Sequence, residues 1–97
     1  MLKEKNINNP SELGQSRVFV EFFSPKCAHC RAIEPSVIKL ASEFPDTEFI
    51  KINTENSPES IESFSLRGLP TFVLYERGKE IKRSVGARPA AIREMLL

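Results

Sequence analysis

Two cysteines stand three positions apart in the segment Cys27-Ala28-His29-Cys30, and the chain contains no others. Disulfide exchange needs an attacking thiolate and a second thiol close enough to resolve the mixed disulfide that forms. At the start of a helix, this spacing places both side chains on one side of the first turn, where unpaired backbone N–H groups favour negative charge. We therefore predict that Cys27 is the nucleophile and Cys30 the resolving thiol.

His29 lies between the two cysteines. An imidazolium at this position would stabilise the Cys27 thiolate, and hence the reduced form of the pair. The protein would then be more oxidising than one without the histidine. An inert surface histidine is the alternative.

Glu21 interrupts an otherwise apolar run six residues before Cys27. A carboxylate inside such a strand is costly unless it is protonated or has a partner. A strand-to-helix turn would fold Glu21 beneath the dithiol, where it could accept the Cys30 proton directly or through water. The strand pattern leaves open a second interpretation, in which Glu21 lies on an exposed face of the sheet.

The elements that must position these residues alternate between helices and strands. The patterns predict, in order, a short helix over Glu12 to Ser16, a strand over Val18 to Phe23, a helix from Cys27 to Phe44, a strand over Glu48 to Ile52, a helix from Ser57 to Phe64, strands over Thr71 to Tyr75 and Glu80 to Val85, and a helix over Pro89 to Leu97. Strands separated by helices imply parallel pairing, whereas a hairpin turn at Gly78 implies antiparallel pairing. A mixed sheet covered by helices on both faces follows.

Single residues sharpen three of these elements. Pro35 falls inside the second helix and should kink it near the second turn. Ser57 is the predicted N-cap of the third helix, with Pro58 at its first position. Gly78 is the hairpin residue expected to need a positive φ.

The totals limit the other classes of protein. A chain of 97 residues can bury one core, so we expect one domain over 1–97. Its 14 basic and 13 acidic residues give no electrostatic reason to expect nucleic acid. No apolar run approaches the roughly 20 residues of a spanning helix, and residues 2–10 are polar where a secretory signal would be apolar. We expect a cytoplasmic monomer without membrane contact, although removal of a leader would leave the same sequence.

Metal binding is an alternative because Cys27, His29 and Cys30 are all potential ligands. Structural zinc takes four ligands in tetrahedral geometry, and the chain has no other Cys or His. Haem attachment requires a histidine after the second cysteine, where Arg31 stands. We therefore expect no metal and no bound cofactor, with a cluster shared between two chains as the remaining metal hypothesis.

Four segments together resemble the thioredoxin superfamily, across nearly the whole chain. They are the stretch from Val20 to Cys30, which is similar to the active-site segment of protein disulfide isomerase domains, Pro35 five residues after Cys30, the loop Gly68-Leu69-Pro70-Thr71, and Val85-Gly86-Ala87. The resemblance implies an α/β thioredoxin fold with a central mixed sheet of four to five strands. It also implies a protein disulfide oxidoreductase that acts on protein disulfides or dithiols, with a reductase as electron donor if it works as a reductant.

The resemblance also implies roles for single residues. Glu21 takes the place of the family's buried acidic residue. Pro70 should be cis and packed against Cys27, while the main chain of Leu69 pairs with an extended substrate. A non-catalytic thioredoxin-like interaction domain is the alternative, although such domains commonly lack one or both cysteines.

The sequence departs from the family pattern beside the cysteines. Lys26 replaces the usual tryptophan and adds charge at the substrate groove, where Arg31 could add more. Ala28-His29 replaces the Gly-Pro of thioredoxins and the Gly-His of disulfide isomerases. The histidine favours the oxidising relatives, whereas the bare single domain resembles the reductants, so the direction of exchange stays open. Arg88 lies about one residue from an arginine that modulates the resolving cysteine in disulfide isomerases.

Overall fold

The β-branched and aromatic run over residues 18–23 forms the central strand of the computed structural model, which describes residues 1–97. The elements follow in order along the chain: β1 Leu2–Glu4, a 3-10 turn Pro10–Leu13, β2 Val18–Phe23, α1 Ala28–Glu43, β3 Glu48–Asn53, α2 Ser60–Ser63, β4 Thr71–Glu76, β5 Lys79–Val85 and α3 Pro89–Leu96. The sheet has the order β1-β3-β2-β4-β5. Strands β1, β3 and β2 are parallel, and β4 is antiparallel to both β2 and β5, so the predicted mixed sheet is confirmed.

Alternate residues of β2 pack on opposite faces of the sheet, because successive side chains of a strand point to opposite sides. Phe19 belongs to the apolar cluster beneath α1 and α3. Val18, Val20 and Phe22 belong to the cluster on the other face, which Phe64 at the end of α2 helps to close. Glu21 has the same parity as Phe19, and it therefore lies on the side of the sheet that α1 covers.

Three loops that form the site lie at one end of the sheet. β4 runs antiparallel to β2, with Thr71 opposite Phe22, so the loop before β4 lies at the same end of the sheet as the loop after β2. β5 returns to this end, where the Gly86 N–H donates to the Pro70 carbonyl at 2.8 Å. Loop 24–27, the loop before β4 and the loop after β5 therefore meet at one end of the sheet.

Two predicted helices differ from those observed. The first is a 3-10 turn over Pro10–Leu13 and not a helix over Glu12 to Ser16, because Asn9 caps it in a capping box and Gly14 ends it at φ +79°. The helix expected from Ser57 to Phe64 is reduced to Ser60–Ser63, and Glu59 occupies its N-cap position in place of Ser57. The Ser57 carbonyl instead accepts hydrogen bonds from the backbone N–H and hydroxyl of Ser60.

The N-terminal residues contain a strand that the polar composition of this segment did not predict. β1 pairs in parallel with β3 through Leu2, Lys3 and Glu4. At the other end of the sheet, Gly78 has φ +77° as predicted, and it forms the β4–β5 turn together with Arg77 at φ +54°. The turn is therefore two residues long, and β5 begins at Lys79.

Candidate active site

Cys27 is the N-cap of α1. A tight turn delivers it there, because its own N–H donates to the Ser24 carbonyl at 3.0 Å directly after β2 ends. The Cys27 Sγ atom accepts a hydrogen bond from the backbone N–H of Cys30 at 3.2 Å. The first turn of α1 contains no acidic residue. The sulfur thus occupies the position where an N-cap side chain satisfies a free helical N–H and where negative charge is favoured.

The two thiols lie in different environments. Both are free, but Cys27 is partly exposed whereas Cys30 is only 3% exposed. Burial raises the pKa of the Cys30 thiol well above its usual value, and the neighbouring Cys27 side chain raises it further. One sulfur is therefore open to a substrate while its neighbour keeps its proton in the reduced protein.

Glu21 is buried, as the resemblance implied, and the interpretation that placed it on an exposed face is wrong. Its exposed fraction is 1%, and its register partners are Lys51 on β3 and Phe72 on β4. Burial raises its pKa from 4.5 to about 7; the nearby Glu34 carboxylate adds to this rise and Lys51 opposes it. The Oε1 atom of Glu21 has no hydrogen-bond partner. The carboxyl therefore titrates near neutral pH.

A pocket of about 210 Å³ connects this acid with the buried thiol. Glu21, Cys30, Glu34 and Lys51 line it, together with residues of the loop after β2. A pocket of this size that charged side chains help to line is large enough to hold water, and water can carry a proton between two groups that do not touch. The arrangement offers a route for a proton between Cys30 and Glu21.

The loop before β4 contains the predicted cis peptide bond, between Leu69 and Pro70. Pro70 is buried, and the Thr71 hydroxyl donates to the Gly68 carbonyl at 2.5 Å. The main chain of Leu69 makes no hydrogen bond within the protein. An unpaired backbone N–H and C=O at the end of the sheet that carries the cysteines can accept a peptide as an added strand.

The remaining predicted site residues lie on the surface around Cys27. Lys26, His29, Arg31 and Arg88 are all exposed. The Arg31 guanidinium donates to the Pro25 carbonyl at 2.7 Å, which holds it against the cysteine loop. Arg88 is the N-cap residue of α3, in the loop that follows Gly86.

Lys51 and Glu34 were not among the predicted site residues, although both line the pocket beneath the cysteines. The Lys51 ammonium forms an ion pair with Glu34. A lysine in the middle of the apolar stretch Phe49 to Ile52 was a signal of the same kind as Glu21. The pairing register that puts Lys51 beside Glu21 is a long-range property that no local pattern reveals.

Two further findings concern metals and membranes. The protein has no group of three or more Cys, His, Asp and Glu side chains arranged to hold a metal ion. None of its helices has the length and apolar character needed to cross a membrane.

A mixed sheet of this order, with a Cys-x-x-Cys pair at a helix N-terminus and a cis-proline loop at the same end of the sheet, is typical of the class of thiol-disulfide oxidoreductases. The family model described as Thioredoxin matches residues 2–97. The chain therefore belongs to the thioredoxin family.

Individual relatives agree with this assignment. Thioredoxin AMT13 of Alternaria alternata is 30% identical, over 95% of this chain and 78% of the relative. Thioredoxin H2 of Arabidopsis thaliana is 41% identical over 71% of this chain, which spans about half (52%) of that longer relative. Among solved structures, the thioredoxin of Fasciola hepatica superposes with a TM-score of 0.81 at 36% identity, over 89% of this chain and 83% of that one.

Proposed function

We propose that this chain exchanges disulfides with protein substrates through Cys27 and Cys30, cycling between dithiol and disulfide without a bound cofactor. The observation that carries the proposal is the asymmetry of the two sulfurs: Cys27 is accessible at the N-cap of α1, whereas Cys30 is buried one turn away. An accessible attacker and a protected resolver are the two thiols that disulfide exchange requires.

In the reductive direction, the Cys27 thiolate attacks one sulfur of a substrate disulfide. The substrate S–S bond breaks, a Cys27–substrate mixed disulfide forms, and the other substrate sulfur leaves as a thiolate. At the start of α1 the backbone N–H of Cys30 donates to the Cys27 sulfur, and the N-terminus of a helix interacts favourably with negative charge.

Cys30 completes the reaction. It gives its proton to the Glu21 carboxylate, directly or through water in the pocket that both residues line, and its thiolate attacks the Cys27 sulfur. The mixed disulfide breaks, the second substrate thiolate leaves, and the protein holds a Cys27–Cys30 disulfide. The substrate has gained two electrons and the protein has lost two. The reverse sequence oxidises a substrate dithiol.

Leu69 and Pro70 bind the substrate in this proposal. The unpaired main chain of Leu69 hydrogen-bonds an extended peptide, next to the cis bond before Pro70 and at the end of the sheet where Cys27 lies. Backbone pairing ignores most side chains, so many protein disulfides would fit.

The protein works in this proposal as one thioredoxin-like domain over 1–97 and as a cytoplasmic monomer. His29 makes its couple more oxidising than that of a typical thioredoxin, and thus closer to disulfide isomerases, because an imidazolium would stabilise the Cys27 thiolate. If the protein works as a reductant, a reductase returns its electrons. Equilibrium titration in a glutathione buffer measures the potential, and a value as reducing as that of thioredoxins would contradict the role given to His29.

Two serine variants test the chemistry in an insulin-reduction assay driven by dithiothreitol. Cys27→Ser should abolish turnover, because no sulfur remains to attack. Cys30→Ser should slow turnover to the rate at which dithiothreitol resolves the mixed disulfide. When the reduced variant is mixed with substrate in the absence of dithiothreitol, it should accumulate a mixed disulfide that mass spectrometry detects. Urea unfolding of both variants controls for loss of structure. Turnover by Cys27→Ser at the rate of the parent would contradict the proposal and favour a non-catalytic interaction domain.

A further inference from the structure

Lys51 lies between two carboxylates in the pocket beneath the cysteines. In the sheet it is the register partner of Glu21, one strand away. Its ammonium, however, is bonded to Glu34 of α1 and lies 5.1 Å from the centre of the Phe23 ring. The Oε1 atom of Glu21 stays without any partner although the residue is 1% exposed. The Lys51 ammonium therefore pairs with Glu34, which is the more exposed of the two carboxylates in the pocket.

The groups that face Glu21 show how the Lys51–Glu34 ion pair affects the Glu21 carboxyl. From β3 it faces Lys51, from α1 it faces Cys30, Glu34 and the nearby Arg31, and from β4 its register partner is the uncharged Phe72. A full ion pair with Lys51 would hold the buried carboxyl in its ionised form. A proton-transfer group is most effective when its pKa lies near the working pH, which such an ion pair would prevent.

We propose that Glu34 is a positioning residue for disulfide exchange: by holding the Lys51 ammonium, it leaves Glu21 without a counter-ion and able to exchange the Cys30 proton at neutral pH. The inference rests on the proposed function, because it assigns to Glu34 a role in the step that Cys30 performs. Glu34 acts through Lys51 and touches neither sulfur nor substrate in this role.

The test compares Glu34→Gln with Glu43→Gln. Glu43 is the matched control, because it also lies on α1 and also forms an ion pair, with Arg93 on the far side from the cysteines. The first readout is the Glu21 carboxyl titration, followed by NMR of protein labelled with carbon-13 at glutamate side chains. Glu34→Gln should move the Glu21 titration down by about one pH unit, the low end of what a nearby opposite charge does to a carboxyl. Glu43→Gln should leave it in place.

The second readout is the pH profile of the resolving step, measured as release of substrate from the Cys27 mixed disulfide. Its inflection should move with the Glu21 titration in Glu34→Gln, and the added substitution Lys51→Met should move both back up. If the Glu21 carboxyl titrates at the same pH in Glu34→Gln and in Glu43→Gln, the inference is overturned. A slower release with an unmoved inflection would also overturn it, because that result reports a structural role only. The titration needs no turnover, so failure of the proposed function is seen separately.

A second inference comes from the surface charges around the cysteines. Lys26 and Arg31 flank the pair, Arg67 precedes the cis-proline loop, and Arg88 follows β5 at the same end of the sheet. All four are exposed, and none takes part in an ion pair. Two carboxylates adjoin this end of the sheet: Glu34 is paired with Lys51, and Glu55 accepts a hydrogen bond from the Ser24 hydroxyl at 2.6 Å.

We infer that the cysteine face selects protein substrates whose disulfide is flanked by aspartate or glutamate. The inference deepens the proposed function, since the backbone pairing at Leu69 supplies affinity for any extended chain and the surrounding cations discriminate by charge. Electrostatic complementarity of this kind acts mainly on specificity and on the rate of association.

Three peptides with one disulfide in common and Glu, Gln or Lys at the flanking positions test this inference. At low ionic strength, kcat/KM for the Glu peptide should exceed that for the Gln peptide by about tenfold, the low end of electrostatic steering, and the preference should shrink as salt is added. The double substitution Lys26→Gln, Arg88→Gln should remove most of it. Lys79→Gln, which removes an exposed cation at the opposite end of the sheet, should not.

Binding of the same peptides to a Cys27→Ser, Cys30→Ser variant, followed by fluorescence anisotropy, gives the preference without turnover. Equal binding of all three peptides, or a preference that Lys79→Gln reduces as much as the double substitution, would overturn the inference. If the peptides bind with the expected preference but the parent protein does not turn them over, the result counts against the proposed chemistry alone.

Discussion

The buried Glu21 carboxyl should make the native protein less stable as the pH rises from 4.5 to about 7. The unfolded chain releases this proton near pH 4.5, whereas the native state keeps it up to about pH 7. Between these values the native state binds one proton more than the unfolded state, so the free energy of unfolding falls with increasing pH. Over 4.5 to 7, at about 1.4 kcal/mol for each pKa unit, the loss is about 3 kcal/mol.

Glu21→Gln removes this titration while keeping the shape of the side chain. The variant's free energy of unfolding, minus that of the parent, should therefore rise by about 3 kcal/mol from pH 4 to pH 8. Urea unfolding of the reduced proteins at several pH values measures it, and a pH-independent cost of the buried amide cancels in the comparison. Glu43→Gln is the control, because the Arg93 ion pair lowers the pKa of Glu43 from 4.5. Its effect has the opposite sign and lies below pH 4.5, so its difference from the parent should stay nearly constant at higher pH. If the difference in free energy of unfolding between Glu21→Gln and the parent does not change with pH, burial does not raise the pKa of this carboxyl.

Three other changes have definite expected outcomes. In the reduced protein near pH 7, iodoacetamide should modify one thiol rapidly and leave Cys30 unmodified, because burial raises its pKa; urea should expose both. His29→Ala should make the redox potential more negative, by about 30 mV for each tenfold change in the equilibrium constant, and an unchanged potential in a glutathione titration would show an inert surface residue. Phe64→Ala should lower the free energy of unfolding by about 3 to 5 kcal/mol, because the Phe64 ring packs 4.6 Å from that of Phe22. A loss below about 1 kcal/mol in urea unfolding would show that this contact is dispensable.

Local patterns were sufficient for the central elements of the fold and for the position of the cysteines. Strands β2 and β4 are short apolar runs rich in β-branched and aromatic residues, and α1 begins directly after Cys27, where the helix was predicted to start. The burial of Glu21 and the cis bond before Pro70 did not follow from local pattern alone, and the family resemblance supplied both. The ion pair between Lys51 and Glu34 depends on strand register and helix packing, which join residues 17 positions apart.

The errors have physical causes of the same kind. β1 has three residues, and it exists because its backbone pairs with β3, which composition does not report. Ser57 resembles an N-cap by its residue type and by the proline that follows it. Its hydroxyl nevertheless has no hydrogen-bond partner. In the turn over residues 57–60, it is the Ser57 carbonyl that accepts hydrogen bonds. The position of an N-cap depends on backbone geometry. A serine followed by a proline is therefore compatible with more than one position of the helix start.

Because the Cys27 sulfur is also the N-cap acceptor of α1, oxidation state and helix stability are linked. In the reduced protein, an anionic sulfur can accept the Cys30 N–H and interact favourably with the helix dipole. Once that sulfur is bonded to another sulfur, its charge is gone and the cap is weaker. A mixed disulfide therefore leaves α1 with a weaker cap, whereas in the oxidised protein the Cys27–Cys30 disulfide itself ties the N-cap residue to the third residue of the helix.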